Sequence, residues 1–152
     1  MNMIIRPATL ADAKVVAEFN RRLALETEGK TLDPAVLSNG VIAMLTDVNK
    51  GRYFVADADG RVVGQLAITF EWSDWRNGNV WWIQSVYVEA DARRHGVFRK
   101  LYEYVATAAR TDVNVAGIRL YVEHDNRVAQ ETYRKMGMVM TAYHVMEEMF
   151  AV

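Results

Sequence analysis

The sequence predicts an α+β domain in which a mixed β-sheet carries helices on its faces. Two helical patterns follow a short N-terminal strand, three β-type segments fill the middle, and helix and strand alternate after them. These three observations predict the order β-α-α-β-β-β-α-β-α-β. We expect one domain over residues 1–152, a length typical of single domains.

The first strand and helix are predicted from local signals. Residues 4–6 are predicted to form a short strand that ends at Pro7. Thr9 and Asp12 have the spacing of a capping box, which predicts that a helix begins there. Apolar residues at helical spacing extend this helix to about Glu28.

A second helix and the middle strands follow. Asp33-Pro34 predicts a helix start, and Gly51 predicts its end. Asp59-Gly60 predicts a hairpin turn between two strands. The three predicted strands cover residues 52–57, 62–71 and 80–88.

The C-terminal half changes its hydrophobic period. Helical spacing covers residues 97–108, a strand is predicted at 118–122, and a further helix begins near 128 and ends at Gly137. Residues 138–149 predict a final extended strand.

Composition excludes several classes of protein. Half of the residues (51%) are hydrophobic and 24% are charged, which excludes general disorder. The absence of cysteine excludes disulfides, zinc–thiolate sites and a cysteine nucleophile, and we expect no metal. No membrane-length apolar run or cleavable signal is seen, so we expect a cytoplasmic protein without a membrane partner. A net charge of −1 argues against nucleic-acid binding.

The residues around the start of the third long helix carry the strongest chemical signal. A strand runs through Val88 into a short loop, and Gly96 precedes the helix. A helix N-terminus and a glycine together suit a phosphate group. The basic residues of this segment are Arg93, Arg94, Arg99 and Lys100. Spacing alone leaves two interpretations open: a pyrophosphate cradle, or a helix start with a solvated basic face.

Two motifs identify a resemblance. Arg93-x-x-Gly96-x-Phe98 resembles the acetyl-CoA loop of the GNAT N-acetyltransferase superfamily, although the family prefers Gly or Ala where Phe98 stands. Downstream, the chain resembles the same family in Asn126-x-x-Ala129-x-x-x-Tyr133-x-x-x-Gly137-Met138. The resemblance implies a GNAT-like fold whose central sheet is splayed between the strands at 80–88 and 118–122, with acetyl-CoA as cosubstrate.

The resemblance also implies the roles of individual residues. Backbone groups of Val86 and Val88 would hold the pantetheine arm, and an N–H near Val86 would stabilise the oxyanion. N–H groups from Arg94 to Arg99 would bind the pyrophosphate. The implied cofactor-binding residues are Val86, Val88, Arg93, Arg94, His95, Gly96, Val97, Phe98, Arg99, Asn126 and Tyr133.

Tyr133 is the implied catalytic residue, which would protonate the departing thiolate. It also falls on the apolar stripe of its helix, so a core tyrosine is the other interpretation. Asn126 would bond the pantetheine arm, and it is equally suited to cap its helix.

The general base is left open. Polyamine-type relatives carry a glutamate two residues before the position of Val86, and this chain has Gln84 there, which cannot accept a proton. The remaining candidates are a water chain and the side chains of Glu71, Asp74, Glu123 and His124.

The substrate clues are aromatic. One or two aromatic residues of the region from the third to the fourth strand would wall a pocket for a cationic or aromatic amine beside Asp74 or Glu71, unless they are ordinary core residues. These aromatic residues are Phe70, Trp72, Trp75, Trp81 and Trp82.

These observations favour an N-acetyltransferase that moves acetyl from acetyl-CoA to a primary amine of a small molecule, by direct attack in a ternary complex. The alternative is a CoA-binding regulatory module with a degenerate catalytic centre, as Gln84 and Phe98 would suit. A homodimer is also expected, because the apolar C-terminal residues Val145, Met146, Met149 and Phe150 need cover.

Overall fold

Five strands form one mixed sheet in the computed structural model, which describes residues 2–150. The strands occur in sequence order across the sheet, β1 to β5. All neighbours are antiparallel except β4 and β5, which are parallel. The strands are β1 (Met3–Pro7), β2 (Arg52–Ala58), β3 (Arg61–Ser73), β4 (Gly78–Val88) and β5 (Val115–Leu120).

Four α-helices accompany the sheet within the described residues, and the α+β class with a mixed sheet is confirmed. A short 3₁₀ helix, Leu10–Asp12, precedes the first of them, and another, Ala90–Ala92, follows β4. The α-helices are α1 (Ala13–Glu28), α2 (Pro34–Thr46), α3 (Val97–Thr111) and α4 (Arg127–Lys135).

The chain divides into two compact units, one up to Tyr121 and one from Val122 onward. The first unit contains the whole sheet with α1, α2 and α3, and the second contains α4. The prediction of a single domain stays a prediction.

The sheet of the first unit carries helices on both faces. Gly64 of β3 faces α3, since a Cβ there would lie 2.9 Å from the Val97 side chain. Gln65, the next residue, bonds Asn20 of α1. Because neighbouring strand residues point to opposite faces, α1 and α3 cover opposite sides of the sheet. Val97 at the start of α3 is thereby packed closely against β3, which fixes where that helix begins.

Two predicted helix boundaries are instructive. Asp33 accepts hydrogen bonds from the amides of Ala35 and Val36, which confirms the predicted cap of α2. The predicted end at Gly51 was wrong, since α2 stops at Thr46. Asp47 is extended and its carboxylate accepts the Asn49 amide at 2.9 Å, so a side-chain turn replaces the helical bonds.

Two predictions for the C-terminal strands also need correction. The strand expected at 118–122 runs from Val115 to Leu120, because pairing with β4 extends it through Ala116 and Gly117, which have low intrinsic strand preference. The final strand expected at 138–149 is not formed. Residues 138–150 pair with no other strand, and their backbone stays irregular.

Candidate active site

Strands β4 and β5 stop pairing part of the way along β4. Their parallel ladder runs from Asn79 and Val115 to its last pair, Ile83 and Leu120. Strand β4 continues to Val88 while β5 has ended. The backbone of residues 84–88 therefore has no strand on its β5 side within the first unit. This is the opening that the predicted splay requires.

A β-bulge lies at the start of this unpaired stretch. Gln65 of β3 pairs with Tyr87 and Ala67 pairs with Gln84, so two residues of β4 oppose the single residue between them. Ser85, one of the two, has a φ of +51°, a left-handed conformation that is uncommon outside glycine. The bulge redirects the backbone of β4 at Val86.

The loop after β4 leads directly into α3. Arg94 and Gly96 both have positive φ, +66° and +75°, and Gly96 is the N-cap of the helix. A Cβ built on Gly96 would meet no atom within 4 Å, so the space beside it is open. The first helical bond joins the Lys100 amide to the Gly96 carbonyl. The amides ahead of Lys100 precede that ladder and present the positive end of the helix dipole. Exposed backbone donors with room for a ligand suit a diphosphate.

Phe98 departs from the family pattern, but its side chain does not fill the open space beside Gly96. Its ring lies 6.1 Å, centroid to centroid, from the ring of Tyr102, one turn along the helix. The Phe98 side chain thus runs along α3, and the loop still enters the helix at Gly96.

The basic residues of the loop differ in what they do. The Arg93 guanidinium donates to the Val88 carbonyl at 2.8 Å and to Glu26 of α1 at 3.0 Å, and it lies over the Tyr87 ring. Arg93 therefore fastens the loop to β4 and α1, and its charge is compensated. It also occupies the Val88 carbonyl, one of the backbone groups that the resemblance assigns to the pantetheine arm.

The remaining loop side chains are exposed. Arg99 pairs with Glu103 at 2.9 Å, while Arg94 and Lys100 take part in no ion pair among residues 2–150. The His95 ring nitrogen Nδ1 lies 2.9 Å from the Arg93 carbonyl, which orients the ring within the loop. Arg94 and Lys100 are thus the side-chain charges available to an anion here.

Glu26 connects α1 to the end of β4. Hydrogen bonds from the Tyr87 hydroxyl, and then from Arg93, lower the pKa of the Glu26 carboxyl. Burial and the same Glu26 contact raise the pKa of Tyr87. Tyr87 therefore keeps its proton and serves as a donor that stabilises the strand end.

The candidate bases of the first unit are already engaged. Glu71 forms an ion pair of 2.5 Å with Arg119 of β5, and Asp74 accepts the Trp75 amide within the hairpin turn. Gln84 is exposed and donates to the Thr69 hydroxyl at 2.6 Å. Glu71 and Asp74 therefore each have a hydrogen-bonding partner within the first unit.

The aromatic residues separate into three groups. Trp81 is buried in the core, and Phe70 packs edge-on against it. Trp72 and Trp75 are exposed, Trp75 by 89%. Trp82 packs against Tyr121 at a centroid distance of 4.6 Å, with the rings tilted by 34°. Trp82 is one residue before the last paired residue of β4 and Tyr121 directly follows the last residue of β5, so this aromatic pair lies where the two strands part.

The second unit holds the downstream motif. Asn126 accepts the Ala129 amide at 3.1 Å, which confirms that it caps α4. Tyr133 is half-buried on the same helix. Gln130 donates to the carbonyls of Glu123 and His124 and so fastens the segment that precedes α4. The catalytic assignment of Tyr133 stays a prediction.

Three residues that matter here were missed in the sequence. Gln65, Ser85 and Asn20 meet behind the bulge. A glutamine inside the apolar run of β3 is a usable signal, since a buried amide needs partners. Ser85 gives no signal, because a left-handed residue in a strand cannot be read from its type.

No group of three or more histidine, aspartate or glutamate side chains among residues 2–150 is placed to hold a metal ion. The helices of that same region are too short or too polar to cross a bilayer.

A mixed sheet whose one parallel pair opens beside an exposed loop, which enters a helix N-capped by glycine, is the architecture of an acyltransferase that uses an acyl-CoA. The family model of the GNAT acetyltransferases matches residues 18–138, and the chain belongs to that family.

Solved structures agree with this assignment. A possible acetyltransferase from Clostridium difficile 630 is 45% identical over 100% of both chains, with a TM-score of 0.93. A predicted acetyltransferase from Clostridium acetobutylicum, solved with acetyl-CoA, is 18% identical (97% of this chain, 96% of that one, TM-score 0.78). A ribosomal-protein-alanine N-acetyltransferase from Brucella melitensis biovar Abortus 2308 is 16% identical (99% and 100%, TM-score 0.77). The last two show the fold alone. No curated protein matches the chain in sequence.

Proposed function

We propose that this protein is an N-acetyltransferase that moves the acetyl group of acetyl-CoA to a primary amine of a small molecule. The observation that carries the proposal is the opening of the sheet after Ile83 and Leu120, beside the exposed loop that starts α3. An acyl-thioester held by the loop at its diphosphate end can reach into that opening with its other end.

The loop and β4 bind the cosubstrate in this proposal. Amides from Arg94 to Arg99 donate hydrogen bonds to the diphosphate, and Arg94 and Lys100 add charge. The pantetheine arm adds to β4 like a short strand and bonds the backbone at Val86. Arg93 already holds the Val88 carbonyl, so Val86 carries more of this pairing than the resemblance alone implies.

Acetyl transfer then proceeds in a ternary complex. The neutral amine attacks the thioester carbonyl carbon, the carbonyl oxygen becomes an oxyanion stabilised by the Val86 N–H, and the C–S bond breaks. Tyr133 gives its proton to the thiolate, the attacking nitrogen loses a proton to water, and Tyr133 regains its proton from water. The products are the amide and free CoA. The absence of cysteine agrees with this route, because no thiol acyl-enzyme can form.

An aromatic amine suits the acceptor side best. Trp82 and Tyr121 offer an aromatic surface where the strands part, and the ring of an acceptor can pack on it. Arg119 compensates the charge of Glu71, so this carboxylate attracts a highly charged polyamine less strongly.

A panel of amines tests the proposal. Purified protein is incubated with acetyl-CoA and aromatic, aliphatic and polyamine acceptors, and free thiol is followed with a chromogenic disulfide. We expect thiol release that depends on the amine, with acetylated product in mass spectrometry. Acetyl-CoA binding without turnover on any amine would favour the alternative, a CoA-binding regulatory module, for which the lack of a carboxylate at Gln84 is the favouring observation.

The partners are proposed on separate grounds. The second unit does not bury its own apolar residues: Met146 is 96% exposed, and Met149 and Phe150 about four-fifths. A second copy of the chain would cover them, which supports the homodimer. Light scattering after size exclusion should give twice the chain mass, and Met146→Glu should give the monomer mass. The cytoplasmic location stays a prediction.

A further inference from the structure

Gln65 is a polar side chain placed at the centre of the sheet. It is fully buried in β3, between residues of an apolar strand. Burying an amide costs free energy unless its hydrogen bonds are made. A valine or leucine would pack there without that cost, so the partners of Gln65 show what the amide provides.

Both hydrogens of the Gln65 amide are donated. Nε2 bonds Asn20 Oδ1 of α1 at 2.9 Å and the Ser85 carbonyl oxygen of β4 at 3.0 Å. Asn20 in turn donates to the Tyr53 hydroxyl of β2 at 3.0 Å, and that hydroxyl also interacts with Ser85. Two side chains from other strands, Gln65 and Tyr53, therefore meet at Ser85 of the bulge, and Asn20 of α1 links them.

The orientation of this amide costs free energy, because it leaves one of the amide's polar atoms without a hydrogen bond. Gln65 Oε1 is buried and has no hydrogen-bond partner within residues 2–150. Rotating the amide by half a turn would offer the oxygen, instead of the donors, to Asn20 and Ser85. The side chain thus leaves one polar atom unpaired in order to keep its donor on the Ser85 carbonyl.

The Ser85 carbonyl and the Val86 N–H belong to one peptide unit. That unit is planar and trans, so its C=O and N–H point in opposite directions. Fixing the Ser85 oxygen therefore fixes the direction of the Val86 N–H. The left-handed φ of Ser85 gives the peptide an orientation that a regular strand would not have.

We propose that Gln65 is a positioning residue that aims the Val86 N–H at the thioester oxygen, by holding the Ser85 carbonyl on the other side of the same peptide. This inference rests on the proposed function, in which the Val86 N–H stabilises the oxyanion. Gln65 touches no substrate. Gln65 aligns the N–H donor before the acetyl group arrives. A donor that is already aligned stabilises the transition state most, because it need not reorient during the reaction.

Two substitutions at Gln65 test the inference. Gln65→Met keeps the length and removes both donors, and Gln65→Leu removes them with a shorter apolar side chain. We expect kcat to fall about tenfold or more in both, less than the loss of a whole oxyanion donor. KM for each substrate and the Kd for CoA should stay within about threefold, because ground-state binding does not use the alignment.

The control is Val105→Ala, a fully buried residue of α3 on the other face of the sheet. It lowers stability without touching the bulge, and its kcat should match that of the wild type. Variants are compared at a temperature well below each melting point. A kcat for folded Gln65→Met within twofold of wild type would overturn the inference, as would an equal loss in Val105→Ala.

A second readout is independent of turnover. In nitrogen-15 NMR spectra of the CoA-free protein, the Val86 amide should shift and exchange faster with solvent in Gln65→Met, while amides of α3 stay in place. An unchanged Val86 amide would overturn the inference whatever the activity. If the wild type acetylates no amine but the Val86 amide responds, then the proposed function fails while the positioning by Gln65 is upheld.

Discussion

Ile83 and Leu120 are the last paired residues of the two parallel strands, and everything attributed to the site depends on the sheet opening after them. Beyond this pair β4 bends at the bulge and continues alone to Val88, next to the loop that begins α3. The unpaired stretch of β4 and the loop that starts α3 are thus consecutive parts of one strand–loop–helix segment.

Replacing Gly96 with glutamate should abolish cosubstrate binding. The space beside Gly96 is open, so the new side chain fits, but its carboxylate meets the diphosphate. Like charges a few ångströms apart cost several kcal/mol, so titration calorimetry should show CoA affinity reduced about a hundredfold or more.

Gly60→Glu is the matched control for that change. Gly60 also has a positive φ (+88°) and open space, and it lies in the hairpin turn between β2 and β3. Both variants carry the strain of a side chain in the left-handed region. Gly60→Glu should bind CoA like the wild type, and CoA binding by Gly96→Glu at wild-type affinity would remove the loop from the site.

Replacing Tyr133 with phenylalanine should slow turnover much more than it weakens CoA binding. Loss of a general acid lowers kcat by about a hundredfold or more, whereas the ring still packs. Tyr143→Phe, which removes a hydroxyl from an exposed residue of the same unit, should be silent in the thiol-release assay. Wild-type turnover in Tyr133→Phe would exclude the tyrosine from the reaction.

The pH dependence of kcat/KM should follow the amine. Gln84 cannot accept a proton and Glu71 is paired with Arg119, so the proposal has the substrate lose its proton to water before it attacks. For acceptors of different pKa, the acid limb should move with each amine. A limb that stays at one pH for every amine would reveal a base on the enzyme.

Asp12→Asn should destabilise the protein at neutral pH. Arg6 bonds both oxygens of the nearly buried Asp12 carboxylate, at 2.9 and 3.0 Å, and the Thr9 amide adds a third bond. The Arg6 contact lowers the pKa of Asp12, so the folded pKa lies below the unfolded one. This stabilisation is present above the unfolded pKa, about 3.9, and is lost as pH falls through the folded value.

The free energy of unfolding of Asp12→Asn should be lower by about 1–3 kcal/mol at pH 7, and the difference should narrow in acid. Urea titrations at several pH values measure it. Asp59→Asn, at an exposed position of the β2–β3 turn, should change little. A constant difference down to pH 2 would show that the charge of Asp12 does not contribute.

Local signals were sufficient for much of the fold. The Asp33-Pro34 cap and the glycine-started α3 are determined within a few residues, and both were predicted. The end of α2 and the bounds of β5 depend on a side-chain turn at Asp47 and on pairing with β4, which hydrophobic periodicity does not encode.

The site was predictable to a similar extent. A motif located the loop and grouped Arg93 with the cofactor-binding residues, whereas its contacts with the Val88 carbonyl and with Glu26, which is distant in sequence, make it a residue that fastens the loop. The bulge was not predicted at all, because the left-handed Ser85 is imposed by side chains from other elements.

The most direct test of the account is the set of backbone amides that respond to CoA in nitrogen-15 NMR spectra. The account predicts that CoA perturbs two stretches, residues 94–99 at the start of α3 and residues 86–88 beyond the last β4–β5 pair, while β1 and the Asp59–Gly60 turn stay unchanged. Perturbation of the helix start without any response at residues 86–88, or a response in neither stretch, would contradict it.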